Sequence, residues 1–210
     1  MRRSREEAKE TRRAVLAAAA RLFRERGIAT VSVADIMGSL GLTVGGFYRH
    51  FPSKQALVSE AIDAASREAT RDLQERMRTA TPARRASALR QGYLSDSHRA
   101  HTDTGCPVAA LCSEMGHEDR GTREAFARAL QRLIGVVESA EPGKPVKRRE
   151  SLATTAMFVG ALVLARATDD KALAQELLTA ARDAPAGRAG PSSRASASAS
   201  RARASRNAGR

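Results

Sequence analysis

The fold of this chain is decided by residues 31–54, which read VSVADIMGSLGLTVGGFYRHFPSK. Ser32 carries a hydroxyl that can accept hydrogen bonds from the first N–H groups of a helix, so it is placed as an N-cap. Gly41 can adopt the left-handed conformation that ends this helix. Thr43 is placed to cap a second helix that runs to about Phe51. Two short helices around a glycine-containing turn form a helix-turn-helix motif.

The second helix of this motif has one apolar side and one outward side that includes two glycines. Phe47 and Phe51 are four residues apart, so both are expected to face a core. Gly45 and Gly46 each lower helix stability by about 0.5–1 kcal/mol relative to alanine. That cost is explained if the backbone approaches a DNA groove, whereas in an ordinary helix corner the glycines would be incidental. The outward positions, in whole or in part, are Thr43, Val44, Gly45, Gly46, Tyr48, Arg49 and His50.

Ten residues between positions 18 and 57 follow a known pattern. An apolar helix ends Leu-Phe-x-x-x-Gly, and a later segment reads Gly-x-x-x-x-x-x-Tyr-x-x-Phe-x-x-Lys-x-x-Leu. On these residues the chain resembles the DNA-binding domain of the TetR/AcrR family of bacterial transcriptional regulators. The matching positions are Leu22, Phe23, Gly27, Thr30, Ile36, Gly41, Tyr48, Phe51, Lys54 and Leu57.

The resemblance implies an all-α protein with a three-helix DNA-binding head and a helical body that binds a ligand and dimerises. Such a homodimer binds a double-stranded DNA operator as a repressor, and releases it when a small effector binds or a cysteine is modified. Arg49 would lie on the DNA-binding surface. The resemblance places Thr43, Val44, Gly45 and Gly46 at base edges, and Ser32, Tyr48, His50 and Lys54 at phosphates. The chain departs from the family in offering few polar side chains where bases are usually contacted.

The formal charge of +13 lies mainly at the two ends of the chain. Residues 1–54 carry 11 Lys or Arg and 5 Asp or Glu, residues 183–210 carry 6 and 1, and the middle is nearly neutral. A basic excess of this kind indicates an anionic partner, usually nucleic acid. The predicted units are a basic arm (1–8), the head (9–69), a regulatory and dimerisation domain (80–184) and an Arg/Ser/Ala tail (185–210). The tail lacks large apolar side chains and is expected to be disordered.

Apolar residues spaced three and four apart predict the remaining helices. The predicted ranges are 9–26, 54–79, 82–98, 107–115, 122–140, 147–166 and 171–182. Residues 152–165 carry no charge, so their helix must be covered on nearly every side. As the resemblance implies, the last two helices of two subunits would form a four-helix interface. The alternative is that they complete a monomeric bundle.

The body contains a Gly105-Cys106 pair at the start of a short predicted helix. This pair resembles a subgroup of these regulators in which the cysteine senses electrophiles or oxidants. A helix N-terminus favours the reactive thiolate, although Cys106 can equally be a small buried residue at a tight corner. Further candidates for an effector pocket, each also explained as ordinary core, are Tyr93, Met115, Phe126, Met157 and Phe158.

The sequence does not indicate an enzyme, a cofactor or a metal site. It contains no Gly-x-Ser-x-Gly, no His-Glu-x-x-His and no glycine-rich phosphate loop, and its Cys and His spacing matches no common zinc pattern. Nothing resembles a signal peptide, and the longest apolar run of about 14 residues is short for a bilayer span. The chain is therefore predicted to be cytoplasmic and without a membrane partner. The rival hypothesis is a basic protein that coats DNA without sequence preference.

Overall fold

The computed structural model describes residues 5–140 and 148–184, and these residues form helices and no strand. This confirms the all-α class. We number the α-helices α1–α9 and the short 3₁₀ helices η1–η3. In chain order they are α1 (Arg5–Arg26), α2 (Val33–Gly38), η1 (Val44–Arg49), α3 (Lys54–Thr79), η2 (Pro82–Arg84), α4 (Arg85–Tyr93), α5 (Asp96–Ala100), α6 (Pro107–Leu111), η3 (Met115–His117), α7 (Arg120–Ser139), α8 (Arg148–Ala167) and α9 (Lys171–Asp183).

The helix-turn-helix motif consists of α2 and η1. Ser32 and Asp35 form a capping box at the start of α2, and Gly41 has a φ of +66°, as the turn requires. The second helix is a 3₁₀ helix, because its backbone bonds join residues three apart, as from Gly46 N–H to the Thr43 carbonyl at 3.0 Å. Thr43 stands at the N-cap position, but its side chain makes no capping hydrogen bond. That part of the capping prediction is wrong.

Helix α3 joins the head to the body. Ser53 caps it by accepting a hydrogen bond from Ala56 N–H, as its position in the sequence indicates. In the body α3 packs along α7, where the Asp63 carboxylate accepts hydrogen bonds from Arg128 at 2.7 Å and Arg132 at 2.8 Å. The same helix packs against α1 in the head. One continuous helix therefore carries both units.

Several predicted boundaries are wrong. Residues 5–8 belong to α1 and not to an arm, and the predicted helix 82–98 breaks at Leu94, where Ser95 caps α5. Helix α6 ends at Leu111, and Asp119 caps α7 where Thr122 was expected. At α5 and α7, the Ser95 hydroxyl and the Asp119 carboxylate start the new helix. The rest of the predicted arm, the break at 141–147 and the tail at 185–210 lie outside the described residues.

Helix α8 is less covered than its composition predicts. It packs against α9 and α7, yet Leu152 and Leu164 remain 45% and 56% exposed. By length and apolar composition alone, α8 is the one helix among the described residues that could cross a bilayer. A core helix passes the same test, so this is a weak indication. The absence of a membrane partner stays a prediction.

Candidate DNA interface and body cleft

The outward side of η1 forms an open surface, which we call the η1 surface: Thr43, Val44, Gly45, Gly46, Tyr48 and Arg49. Tyr48 is 66% exposed and Val44 is 43% exposed. A Cβ atom added at Gly45 would meet no atom within 4 Å, and Gly45 does not have a positive φ. Neither packing nor backbone strain within the described chain therefore requires glycine at this position. The bare backbone is available for a partner.

Two phenylalanines hold the η1 surface in place. The Phe47 ring is fully buried and stacks on Phe51, with ring centroids 5.7 Å apart. It also meets Tyr48 edge-on at 5.2 Å, which fixes the direction of the exposed ring. Arg12 of α1 lies over the Phe51 ring at 4.5 Å and forms an ion pair with Glu60 of α3 at 2.7 Å. Side chains of α1 and α3 therefore hold Phe51, which supports η1. The inward packing predicted for both phenylalanines is confirmed.

Two of the residues predicted to contact phosphates make hydrogen bonds inside the head. The Ser32 hydroxyl donates to Asp35 Oδ2 at 2.5 Å, and this bond is the first cause of the lowered pKa of Asp35. Lys54 Nζ donates to the Ile28 carbonyl at 2.6 Å. Ser32 and Lys54 therefore have partners within the head, and their phosphate contacts stay predictions. His50 is half-buried at the end of η1, at the edge of the surface.

The body contains a cleft of about 170 Å³ between α3, α4, α5 and the segment that leads to α6. Its lining includes Asp72, Arg76, His98, His101 and Cys106. Cys106 is only 5% exposed. The other predicted pocket residues do not line this cleft, and their role in an effector pocket stays a prediction. They are Tyr93, Met115 and Phe158, which are buried, and Phe126 and Met157, which are half-buried.

His98 fixes the backbone at Cys106. Its Nδ1 lies 2.6 Å from the Tyr93 carbonyl, and its Nε2 accepts a hydrogen bond from Cys106 N–H at 2.9 Å. These partners assign the ring as the neutral form that is protonated at Nδ1. Burial lowers the pKa of His98 to about 4, in agreement with this assignment. Sequence reasoning missed this structural role, which depends on residues eight positions apart.

Tyr93 packs beside the cleft wall. Its ring stacks on Phe158 at 5.3 Å and meets His98 edge-on at 4.8 Å. The pKa of Tyr93 is raised, first by burial and then by the nearby Cys106 thiol. The Tyr93 hydroxyl has no hydrogen-bond partner among the described residues. A buried polar atom of this kind is uncommon, and here it lies next to the cysteine.

A helix-turn-helix head with a bare outward surface, carried by a helical body, defines the class of helix-turn-helix transcriptional regulators. Comparison with known proteins agrees with this class. A sequence profile described as "Bacterial regulatory proteins, tetR family" matches residues 15–61. An uncharacterized HTH-type transcriptional regulator of Mycobacterium tuberculosis is 30% identical over 175 residues, which cover 76% of this chain and 86% of that protein. The chain belongs to the tetR family of bacterial regulatory proteins.

Other similar proteins match over a shorter range or at a lower sequence identity. The HTH-type transcriptional regulator TtgR of Pseudomonas putida is 44% identical over 64 residues, so the match spans about 30% of each protein. The reduced form of E. coli NemR superimposes with a TM-score of 0.69 at 19% identity, covering 82% of this chain and 95% of that one. This second likeness supports the fold alone.

Proposed function

We propose that this chain is a cytoplasmic homodimeric repressor that binds a specific DNA operator and leaves it when an effector acts on the body. The observation that carries the proposal is the η1 surface, where Gly45 is open although the fold does not require glycine. A bare backbone lets the helix approach base edges closely. Val44 can contact a thymine methyl group, and Tyr48 and Arg49 can reach phosphates. The units 9–69 and 80–184 would serve as head and body.

The exposed side of the last two helices supports the homodimer. Leu152 and Leu164 of α8 and Leu173 of α9 are each close to half exposed, and α8 and α9 pack together. Exposed apolar side chains on neighbouring helices favour contact with a second copy. Two heads related by a two-fold axis would enter major grooves roughly 34–36 Å apart, or a multiple of that spacing.

The operator is tested by selecting bound fragments from a genomic DNA pool. We expect an inverted repeat, and we expect Tyr48→Ala to weaken its binding by about tenfold, since lost phosphate contacts of about 1.4 kcal/mol correspond to that factor. A chain truncated after residue 184 should keep the selected sequence and lose only salt-sensitive affinity for bulk DNA. Fluorescence anisotropy with competitor DNA measures both effects.

The rival hypothesis, a basic protein that coats DNA, makes the opposite forecast. There the truncation would abolish binding while Tyr48→Ala would leave it unchanged, because the tail charges alone would provide the affinity. Selection would then return no shared sequence. This combination of results would reject the operator proposal.

For the effector, we propose the body cleft at Cys106. Cys106 lies in its wall, and the neighbouring Gly105 carbonyl accepts a hydrogen bond from Arg24 of the head helix α1 at 3.0 Å. A small ligand in the cleft, or an electrophile attached to the thiol, would displace this segment. The displacement would reach α1 directly. These are the two forms of release that we propose.

N-ethylmaleimide is a suitable small electrophile for a test. We expect it to release the wild-type chain from the selected operator and to have no such effect on Cys106→Ala. Cys112→Ala is the matched control, because Cys112 is the more exposed thiol and lies beyond α6. Anisotropy reports release, and mass spectrometry reports the modified residue. Release that persists in Cys106→Ala and disappears in Cys112→Ala would reject Cys106 as the sensor.

A further inference from the structure

The turn between α1 and α2 is held by a carboxylate from the body. Glu114 Oε2 accepts hydrogen bonds from Ile28 N–H at 2.7 Å and from Ala29 N–H at 3.2 Å. Glu114 lies between α6 and η3, more than eighty residues away in sequence and outside the range matched by the family profile. The N–H groups after a helix need acceptors, and a charged acceptor makes a stronger bond than a neutral one.

The same turn is built around this carboxylate. Gly27 has a φ of +86°, and a Cβ atom added there would lie 3.0 Å from Glu114 Oε1. On the other side, Lys54 Nζ donates to the Ile28 carbonyl at 2.6 Å. Ile28 itself is buried. The Glu114 carboxylate of the body and the Lys54 ammonium of α3 therefore both form hydrogen bonds to the peptide groups around Ile28.

The element that presents Glu114 is fixed at its opposite end as well. Helix α6 is buried against α1, α3, α7 and α8. Just before α6, the Gly105 carbonyl accepts a hydrogen bond from the buried guanidinium of Arg24 in α1. The same guanidinium also donates a hydrogen bond to the Ala20 carbonyl at 3.0 Å. Segment 105–114 thus touches the last part of α1 at one end and the turn after α1 at the other. Glu114 cannot move far unless this segment moves.

We propose that Glu114 is a positioning residue for DNA binding. It holds the 27–30 turn and so sets the orientation of the η1 surface relative to the body. This inference rests on the proposed function. Because α2 follows this turn directly, a loosened turn lets the head rotate against α3. In a two-headed protein, rotation changes the distance between the two η1 surfaces. Glu114 should therefore control which operator spacing is accepted.

Two conservative variants separate the reach of this side chain from its charge. Glu114→Asp keeps the charge but withdraws the carboxylate by one methylene, so the bonds to Ile28 and Ala29 should be lost. Glu114→Gln loses the charge but keeps an oxygen acceptor at the same reach. Glu124→Asp is the matched control, since Glu124 pairs with Arg120 on an exposed side of α7. All variants are made in the full chain.

The measurements are affinity for the selected operator, affinity for versions with one base pair added or removed at its centre, and amide hydrogen exchange at residues 28 and 29. We expect Glu114→Asp to exchange faster at both amides, to bind the operator about tenfold more weakly, which is about 1.4 kcal/mol, and to lose discrimination between spacings. Glu114→Gln should lie closer to wild type, and Glu124→Asp should equal it.

The positioning role is overturned if Glu114→Asp leaves exchange at Ile28 and Ala29 unchanged. It is equally overturned if exchange becomes faster while discrimination between spacings stays as sharp as in the wild type. A wild-type chain that selects no two-fold site would remove the proposed function itself, and this result is seen before any variant is compared. The two failures are therefore distinguishable.

Discussion

Phe47→Ala is expected to lower the free energy of unfolding of the head by about 3–5 kcal/mol, the usual range for a buried phenylalanine truncated in a core. The Phe47 ring is fully buried, stacks on the Phe51 ring and makes an edge-on contact with the Tyr48 ring. Alanine would leave a cavity beneath a six-residue 3₁₀ helix that has few hydrogen bonds of its own. Chemical denaturation followed by circular dichroism measures the loss.

Val44→Ala is the control for this prediction. Val44 lies in the same short helix, but its side chain is exposed, so its removal should change the free energy of unfolding by less than about 0.5 kcal/mol. Operator binding should fall in Phe47→Ala as the head unfolds. Equal stability of the two variants would show that Phe47 does not anchor η1.

Local signals in the sequence predicted much of the head. Ser32, Gly41 and Ser53 are found in the capping and turn positions that their side chains and backbone freedom favour. The spacing of Phe47 and Phe51 correctly placed both rings in the core. Such features depend on residues within a few positions of each other, and a sequence displays them directly.

Features that depend on distant residues were missed. The hydrogen bond from Lys54 to the Ile28 carbonyl forms only once α1 and α3 pack together, and the phosphate contact of Lys54 stays a prediction. The bonds from Arg24 to Gly105 and from Ile28 to Glu114 join residues more than eighty positions apart. No periodicity or cap pattern encodes such pairs, because the partners become neighbours only in the packed fold.

The body cleft shows the same limit. Cys106 of the Gly105-Cys106 pair lines a cleft, and its role as a sensor stays a prediction. The polar residues of α3 that share this cleft, such as Asp72 and Arg76, were not singled out from the sequence. Met115 and Phe126, which are explained from the sequence either as pocket residues or as ordinary core, pack in or against the core and do not line this cleft. Residue type alone does not distinguish a pocket wall from a core.

Gly45→Glu is expected to weaken operator binding by about 100-fold or more, because a like charge facing its partner costs several kcal/mol and each 1.4 kcal/mol is a factor of ten. The side chain has open space in the described chain, so the fold should accept it. In the complex, the added carboxylate would stand between the η1 backbone and the base edges, in the negative potential of a groove flanked by phosphates. Anisotropy titration of the selected duplex measures the change.

Comparing Gly45→Glu with Gly135→Glu on the same duplex tests most directly whether the η1 surface enters duplex DNA. Gly135 lies on α7 in the body, is exposed and also has no atom within 4 Å of an added Cβ, so both variants change the net charge equally. We expect Gly135→Glu to bind within about threefold of wild type, a difference below about 1 kcal/mol, and Gly45→Glu to lose binding. If Gly45→Glu folds normally and binds as tightly as Gly135→Glu, DNA does not lie against the η1 surface.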